Sequence, residues 1–200
     1  MEQQSPVDIT GFVSGGEVTL CFEYSGCADH LANTGEFIKV NYEDGGGIVL
    51  DGRSYQVAEA HSHNPSEHTI EGERFPLEMH LVHRSEGDRI AVVGVLFREG
   101  EANAAIQAII DAAPGEDGAT FPASGLGAAD FLPEGRDYYS YIGSLTTPPY
   151  TEGVRWHVMA DALEVSADQV AQLAALTGGG TNSRPLQLLN GRQITARGMS

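Results

Sequence analysis

The run Glu59-Ala60-His61-Ser62-His63, followed after a hairpin-sized gap by Glu78-Met79-His80-Leu81-Val82, decides how this chain folds. Side chains alternate between the two faces of a β-strand. The two histidines of the first run therefore share a face with its glutamate, and His80 shares one with Glu78 and Val82. If the two strands pair antiparallel, three imidazoles converge with two carboxylates behind them. This arrangement predicts a zinc site with an open fourth position.

A His-x-His pair alone is common by chance and would not establish a metal site. The third histidine, His80, makes the pattern more specific. The opposite face of its run is also apolar and ends at His83. Use of both faces is typical of a buried central strand.

Length and composition indicate a single domain over residues 1–200. With 41% hydrophobic residues, the chain can bury a core of its own. The longest apolar runs, such as residues 90–97, have the length of strands, so no membrane insertion is expected. Residues 1–4 have neither the basic start nor the apolar stretch of a signal peptide. The expectation is a cytoplasmic chain, or one from which a leader has been removed.

The charge narrows the range of partners. Twenty-eight acidic residues against eleven basic ones give a net charge of −17, which argues against nucleic acid and anionic membrane surfaces. The two cysteines, Cys21 and Cys27, either close a tight loop or stay as thiols, and both alternatives remain open.

Most of the chain has the pattern of β-structure. Short or alternating apolar runs predict strands at 18–24, 38–42 and 48–50, followed by a meander of three strands at 53–63, 75–83 and 89–98. Two helices are also predicted. One spans Glu101 to Ala113, and the other begins at a capping box that opens with Ser166 and runs to about Leu176.

Taken in order, the motifs resemble those of the α-class carbonic anhydrases, with the shorter N-terminal segment of a bacterial type. The matching segments are Gln4–Ile9, His61–His68, Glu78–His83, Gly143–Pro149 and Asn182–Gln187. The resemblance covers nearly the whole chain. It implies a mainly β single domain with a few short helices, built on a large, mostly antiparallel twisted sheet with zinc at the base of a cleft.

The resemblance also implies roles for individual residues. His61, His63 and His80 look like the ligands of one Zn²⁺ per chain, and Glu78 looks like the carboxylate that orients one of them. His68 is expected to tie down the turn after the first ligand strand.

By the same resemblance, Thr146 accepts a hydrogen bond from zinc-bound hydroxide and donates its own proton to Glu67. Three neutral imidazoles leave the charge of the dication uncompensated, so its bound water ionises near pH ~7. The implied reaction is reversible hydration of carbon dioxide to bicarbonate and a proton. The residues that match the substrate pocket are Val82, Val92, Leu145, Thr147 and Trp156.

Two polar positions depart from the family pattern. Glu36 stands where a histidine usually shuttles protons, and a carboxylate of ordinary pKa ~4.3 matches a zinc water near ~7 poorly. We therefore expect proton release to limit turnover. Glu59 stands where a glutamine is common behind the first ligand, His61. Its charge would tighten zinc and raise the pKa of the bound water, unless Glu59 is screened or protonated.

Other departures concern packing. Ala60 and Ser62 replace residues that are usually aromatic, which thins the shell around the ligands. Tyr150 stands where the bacterial disulfide has its second cysteine, and the segment carrying the first is missing. Stability is then left to packing or to self-association, for which a homodimer is one arrangement. The compartment implied by the resemblance is periplasmic or extracellular if a leader has been removed.

Three rival interpretations remain. One is a protein that keeps this fold as a binding or structural module with weak or no turnover. A second is a cupin-type metal enzyme, since His61, His63 and Glu67 also fit a His-x-His-x-x-x-Glu pattern, although the glycine-flanked second motif is absent. A third is a structural zinc site, which would usually have four protein ligands.

Overall fold

The computed structural model describes residues 2–15, 19–123 and 125–198. Val18, which belongs to the first predicted strand, lies outside these residues. The described part of the chain contains two α-helices, α1 (Ala104–Ala112) and α2 (Ala167–Leu176), and one 3₁₀ turn (Ala128–Phe131). The strands are β1 (Asp8–Ile9), β2 (Val13–Ser14), β3 (Leu20–Tyr24), β4 (His30–Asn33), β5 (Ile38–Asn41), β6 (Gly46–Leu50), β7 (Arg53–His63), β8 (Thr69–Ile70), β9 (Glu73–Arg74), β10 (Leu77–Arg84), β11 (Ile90–Glu99), β12 (Thr120–Pro122), β13 (Tyr138–Ser144), β14 (Glu152–Met159), β15 (Leu163–Val165) and β16 (Thr195–Arg197).

One large sheet organises the molecule. Its strand order is β12-β4-β5-β7-β10-β11-β14-β13-β16-β2, with β6 and β3 continuing from β7 and β15 pairing with β11. Most pairs are antiparallel, whereas β11 runs parallel to β14 and β15, and β16 runs parallel to β2. The expected mainly β, mostly antiparallel architecture is confirmed. The long strands β7, β10 and β11 lie at its centre, where both edges of each strand are hydrogen-bonded.

The two faces of the central strands bury different side chains. Leu77, Met79 and Leu81 of β10 join the larger apolar cluster, which also packs against α1 and α2. Val82, on the other face, joins a smaller cluster around Trp156. Because both faces are covered, the polar residues of these strands are removed from water and need partners within the protein.

Both predicted helices are present. Helix α1 begins three residues later than predicted because the Asn103 side chain accepts hydrogen bonds from the Ala105 and Ile106 amides and so caps the helix. Helix α2 begins after the predicted capping box, in which Ser166 and Gln169 satisfy each other's backbone amides. No helix in the described ranges is long and apolar enough to cross a membrane.

The predicted meander is correct for its long strands but incomplete. Strands β8 and β9 lie between β7 and β10, leave the large sheet and form a small three-stranded sheet with β1. Each is two residues long, which is too short to show a hydrophobic period. Because these strands leave the large sheet, the turn that contains Glu67 and His68 lies against the start of β10, where both amides donate to Glu78.

Candidate metal centre

Three histidines meet where β7 and β10 pair. The antiparallel register sets His61 opposite His80 and His63 opposite Glu78. All three imidazoles are buried, and one ring nitrogen from each lies within 4.8 Å of the other two. The predicted convergence of His61, His63 and His80 is thus present in the structure.

The outer nitrogen of each ring faces an acceptor. His63 Nδ1 donates to the Asn182 carbonyl oxygen at 3.0 Å, and His80 Nε2 lies 3.0 Å from Glu78 Oε1. His61 Nδ1 lies 3.4 Å from Glu59 Oε1, a longer contact. The inward atoms are therefore Nε2 of His61, Nε2 of His63 and Nδ1 of His80.

These inward nitrogens fit a metal ion. His63 Nε2 is buried and has no hydrogen-bond partner among the described residues, which is costly unless something occupies the space in front of it. Burial lowers the pKa of all three imidazoles and so favours the neutral form that binds metals. Three neutral imidazoles, each with an oxygen atom 3.0–3.4 Å from its outer nitrogen, are a donor set that suits Zn²⁺.

Glu78 links the ligand strand to the turn that follows β7. Its Oε2 accepts the Glu67 and His68 amides at 2.8 Å, and its Oε1 lies 2.7 Å from His68 Nδ1. Burial alone would raise the pKa of Glu78, but the neighbouring His68 and His80 hold it well below its usual range. The carboxylate is therefore ionised and fixed in place beside His80.

The network continues from His68 to the N-terminal segment. His68 Nε2 lies 2.6 Å from the Tyr141 hydroxyl, which lies 2.8 Å from the Ser5 hydroxyl. Tyr141 and Ser5 were not identified from the sequence as parts of the site. His68, expected to tie down the turn, does so while also bonding Glu78.

Gly94 is a further residue that sequence reasoning did not identify. It lies opposite His80 on β11, and a Cβ there would be 2.9 Å from Glu78 Oε1. An isolated glycine inside an apolar strand indicates close approach of another group, and this signal was available in residues 90–99.

A cleft of about 190 Å³ opens in front of the histidines. His61, His80 and Thr146 line it together with Lys39, Glu59 and Arg84. All of the predicted pocket residues also line this cleft: Val82, Val92, Leu145, Thr147 and Trp156. The lining thus combines an apolar wall with charged side chains.

Glu67 is buried beside the histidines. Its Oε1 accepts the Arg184 amide at 2.7 Å, and its Oε2 lies 3.9 Å from His80 Nδ1. Oε2 has no hydrogen-bond partner in the described part of the chain. The expected bond from the Thr146 hydroxyl is not formed in this structure, so Glu67 presents an open acceptor.

Glu36 is exposed at the rim. Its carbonyl oxygen accepts a hydrogen bond from Asn182 Nδ2 at 2.9 Å. It lines a shallow depression that shares Thr146 and Thr147 with the cleft. The position of Glu36 is thus compatible with contact between solvent and the cleft.

The packing around the ligands differs in part from expectation. Ala60 is fully buried in the cluster on the opposite face of the sheet. On the cleft side, the Phe37 ring stacks on His61 with centroids 4.6 Å apart. Phe37 immediately precedes the strand at 38–41, and the period of two places it on the cleft face. Cys21 and Cys27 are both free and exposed.

Comparisons with known proteins agree with this geometry. The family model described as eukaryotic-type carbonic anhydrase matches residues 1–198. A carbonic anhydrase of Neisseria gonorrhoeae is 36% identical over 194 residues, covering 96% of this chain and 77% of the relative. One of Nostoc sp. is 34% identical over 199 residues, covering 96% and 75%.

Solved structures are equally similar. A hyperthermostable carbonic anhydrase identified from an active hydrothermal vent chimney superposes with a TM-score of 0.94 at 42% identity, covering 98% of this chain and 88% of that one. The α-carbonic anhydrase of Thermovibrio ammonificans, in complex with the inhibitor sulfanilamide, gives a TM-score of 0.92 at 36% identity, covering 97% and 87%.

Proposed function

Because the chain belongs to the α-class, eukaryotic-type carbonic anhydrase family, we propose that it hydrates carbon dioxide reversibly with one Zn²⁺ ion held by His61, His63 and His80. The observation that carries this proposal is the convergence of three buried ring nitrogens within 4.8 Å of one another. Each ring faces an acceptor on its outer side. The site is therefore prepared to receive a cation from the cleft side.

A zinc ion bound there supplies a water whose pKa falls to about 7 and which can act as nucleophile under mild conditions. The protein holds the three ligands neutral and fixes their directions. Glu78 does this for His80 and the Asn182 carbonyl for His63. Such outer contacts typically change metal affinity or activity 10–100-fold when removed.

The apolar wall suits an uncharged substrate. Val82, Val92 and Trp156 are at most 6% exposed and face the cleft. Trp156 is fixed by a hydrogen bond from its Nε1 to the Ser144 carbonyl oxygen at 2.9 Å. Carbon dioxide offers few groups for polar recognition, so shape and apolar contact beside the ligands position it for attack.

Thr146 and Glu67 orient the nucleophile in this proposal. Glu67 Oε2 is buried, has no hydrogen-bond partner among the residues that the structure describes and, when ionised, can only accept hydrogen bonds. In the active arrangement that we propose, the Thr146 hydroxyl donates a hydrogen bond to this oxygen. The lone pairs of the hydroxyl oxygen then remain to accept a hydrogen bond from the nucleophile, which fixes the direction of attack.

Proton release is the slow step that we propose for this chain. Glu36 occupies the rim position from which a proton would leave, and carboxylates exchange protons less readily near neutral pH than imidazoles do. External buffer should then raise turnover until another step limits it.

Stopped-flow hydration of carbon dioxide, with the zinc content measured in parallel, tests the proposal. We expect activity that disappears on full chelation and returns with one equivalent of Zn²⁺. Circular dichroism separates loss of metal from loss of fold. Activity that survives complete zinc removal, or a zinc-loaded and folded protein without turnover, would contradict the proposal and favour the binding or structural alternative.

A further inference from the structure

Glu59 is in contact with two cleft residues at once. Its Oε1 lies 3.4 Å from His61 Nδ1, and its Oε2 accepts a hydrogen bond from Lys39 Nζ at 2.5 Å. The side chains of Lys39 and Glu59 are 30% and 22% exposed, so the pair is only partly solvated. One carboxylate thus connects an ammonium group to a candidate metal ligand.

The register of the sheet places Lys39 and Glu59 next to each other at the site. Strand β5 pairs with β7 so that Val40 lies opposite Ala60 and Asn41 opposite Glu59. Lys39 is therefore diagonal to Glu59 on the cleft face, a separation that a long side chain spans. Its ammonium also lies 5.7 Å from the Phe37 ring centroid, and that ring stacks on His61.

Lys39 is the only lysine among the 200 residues, in a chain with 28 acidic side chains. A lysine placed by general surface electrostatics would have many exposed carboxylates available as partners. This one lines the cleft in front of the histidines and is paired with the carboxylate behind His61. The Lys39–Glu59 pair is therefore positioned to influence the candidate metal ligand His61.

The charge of the pair differs from that of Glu59 alone. An isolated carboxylate behind His61 would add a negative charge close to the dication. With the ammonium at 2.5 Å, the two charges cancel to first order at the distance of the metal. Glu59 can then accept a hydrogen bond as a neutral amide would, provided that Lys39 stays in place.

We propose that Lys39 is a positioning residue of the metal centre, holding the Glu59 carboxylate against His61 and cancelling its charge. This inference rests on the proposed function, because it requires that zinc binds His61. If the two side chains act as one unit, the single substitutions should shift zinc affinity and the pH profile in opposite directions, and the double variant should return towards the wild-type values.

Four variants test the unit: Lys39→Met, Lys39→Arg, Glu59→Gln and the double variant Lys39→Met/Glu59→Gln. Zinc affinity is measured by competition with a chelator, independently of turnover. Glu59→Gln leaves an uncompensated ammonium in the cleft, so we expect zinc to bind about tenfold more weakly. The double variant removes that charge and should regain most of the affinity, and Lys39→Arg should match the wild type.

The pH profile of carbon dioxide hydration is the second readout. Lys39→Met leaves the carboxylate uncompensated, and the pH of half-maximal activity should rise by ~0.5. The double variant should return it to the wild-type value. A purely structural role for Lys39 would change stability without giving this pattern of opposite and cancelling shifts.

Asp51→Asn is the matched control, since the Asp51–Arg155 pair is equally short at 2.5 Å but involves none of the three histidines. The Asp51→Asn substitution should change neither the zinc affinity nor the pH profile of hydration. Single substitutions that shift a readout in the same direction, or a double variant that stays as far from the wild type as Glu59→Gln, would overturn the inference alone if the wild type binds zinc and is active. A wild type that binds no zinc would overturn the proposed function together with it.

Discussion

Gly94 and Glu78 are so close that a β-carbon on the glycine would lie 2.9 Å from the glutamate Oε1. That oxygen also contacts His80 Nε2 at 3.0 Å. The Glu78 carboxylate thus occupies space that a side chain at position 94 would need. The absence of a side chain at Gly94 lets Glu78 reach His80.

Substitution Gly94→Ala should displace the Glu78 carboxylate and weaken zinc binding about 10–100-fold, measured by chelator competition. Overpacking of the strand should also cost about 1–3 kcal/mol of unfolding free energy. Gly115→Ala is the control, because a β-carbon added at that glycine would meet nothing within 4 Å. Wild-type zinc affinity in Gly94→Ala would contradict the assigned role of Glu78.

Substitution Glu67→Gln should lower carbon dioxide hydration ~100-fold while leaving zinc content unchanged. The amide can present N–H groups where Oε2 now offers only an acceptor, and Thr146 then cannot donate its proton there. Thr146→Val should cause a similar loss. The double variant should be little worse than either single one, and multiplicative losses would show that the two residues act separately.

Substitution Glu36→His should raise turnover at low buffer concentration by ~10-fold, since an imidazole titrating near ~6.5 passes protons in both directions. The gain should vanish at high buffer concentration, where buffer carries the proton. Glu36→Gln should leave the low-buffer rate unchanged. No gain for Glu36→His at low buffer would refute proton release as the limiting step.

Acid should destabilise the protein through two histidines on the face of the sheet opposite the cleft. Burial lowers the pKa of His83 to about 4 and, with help from the Arg155 charge, that of His157 to about 3. Unfolded imidazoles titrate near ~6.5. Below that pH the unfolded state binds more protons, so stability is complete above about pH 6.5 and falls towards pH 4.

Each of these histidines should contribute up to ~1.4 kcal/mol of lost unfolding free energy per pH unit in that window. Urea unfolding at several pH values measures the slope. Substitution His157→Leu should make the slope shallower by nearly one proton, since both ring nitrogens of His157 are buried and have no hydrogen-bond partner within residues 2–15, 19–123 and 125–198. An unchanged slope would mean that His157 is not the group that titrates.

The parts of the structure that sequence reasoning predicted are those set by local pattern. Alternation alone predicts that His61 and His63 share a face, and the apolar run of β10 predicts a central strand. Asn103 and Ser166 cap their helices through neighbouring amides, so both helix starts depend on a few adjacent residues. A resemblance in motif order then placed Thr146 and Glu67 near the ligands.

The parts that were missed depend on distant pairings. The acceptor for His63 is the backbone carbonyl of Asn182, 119 positions away, and every residue has such a group. The contact between Lys39 and Glu59 requires the register of β5 on β7, which no local period specifies. The short strands β8 and β9 exist only because the turn folds back on β1.

Hydrogen bonds join Ser5, Tyr141, His68 and Glu78 in series, and Glu78 Oε1 lies 3.0 Å from His80 Nε2. Ser5 is fully buried although it lies near the start of the sequence. A fusion partner or affinity tag placed immediately ahead of Ser5 would therefore adjoin a residue that is linked to the surroundings of the candidate ligands. Placement of a tag at this position is therefore also a choice about the surroundings of the candidate metal ligands.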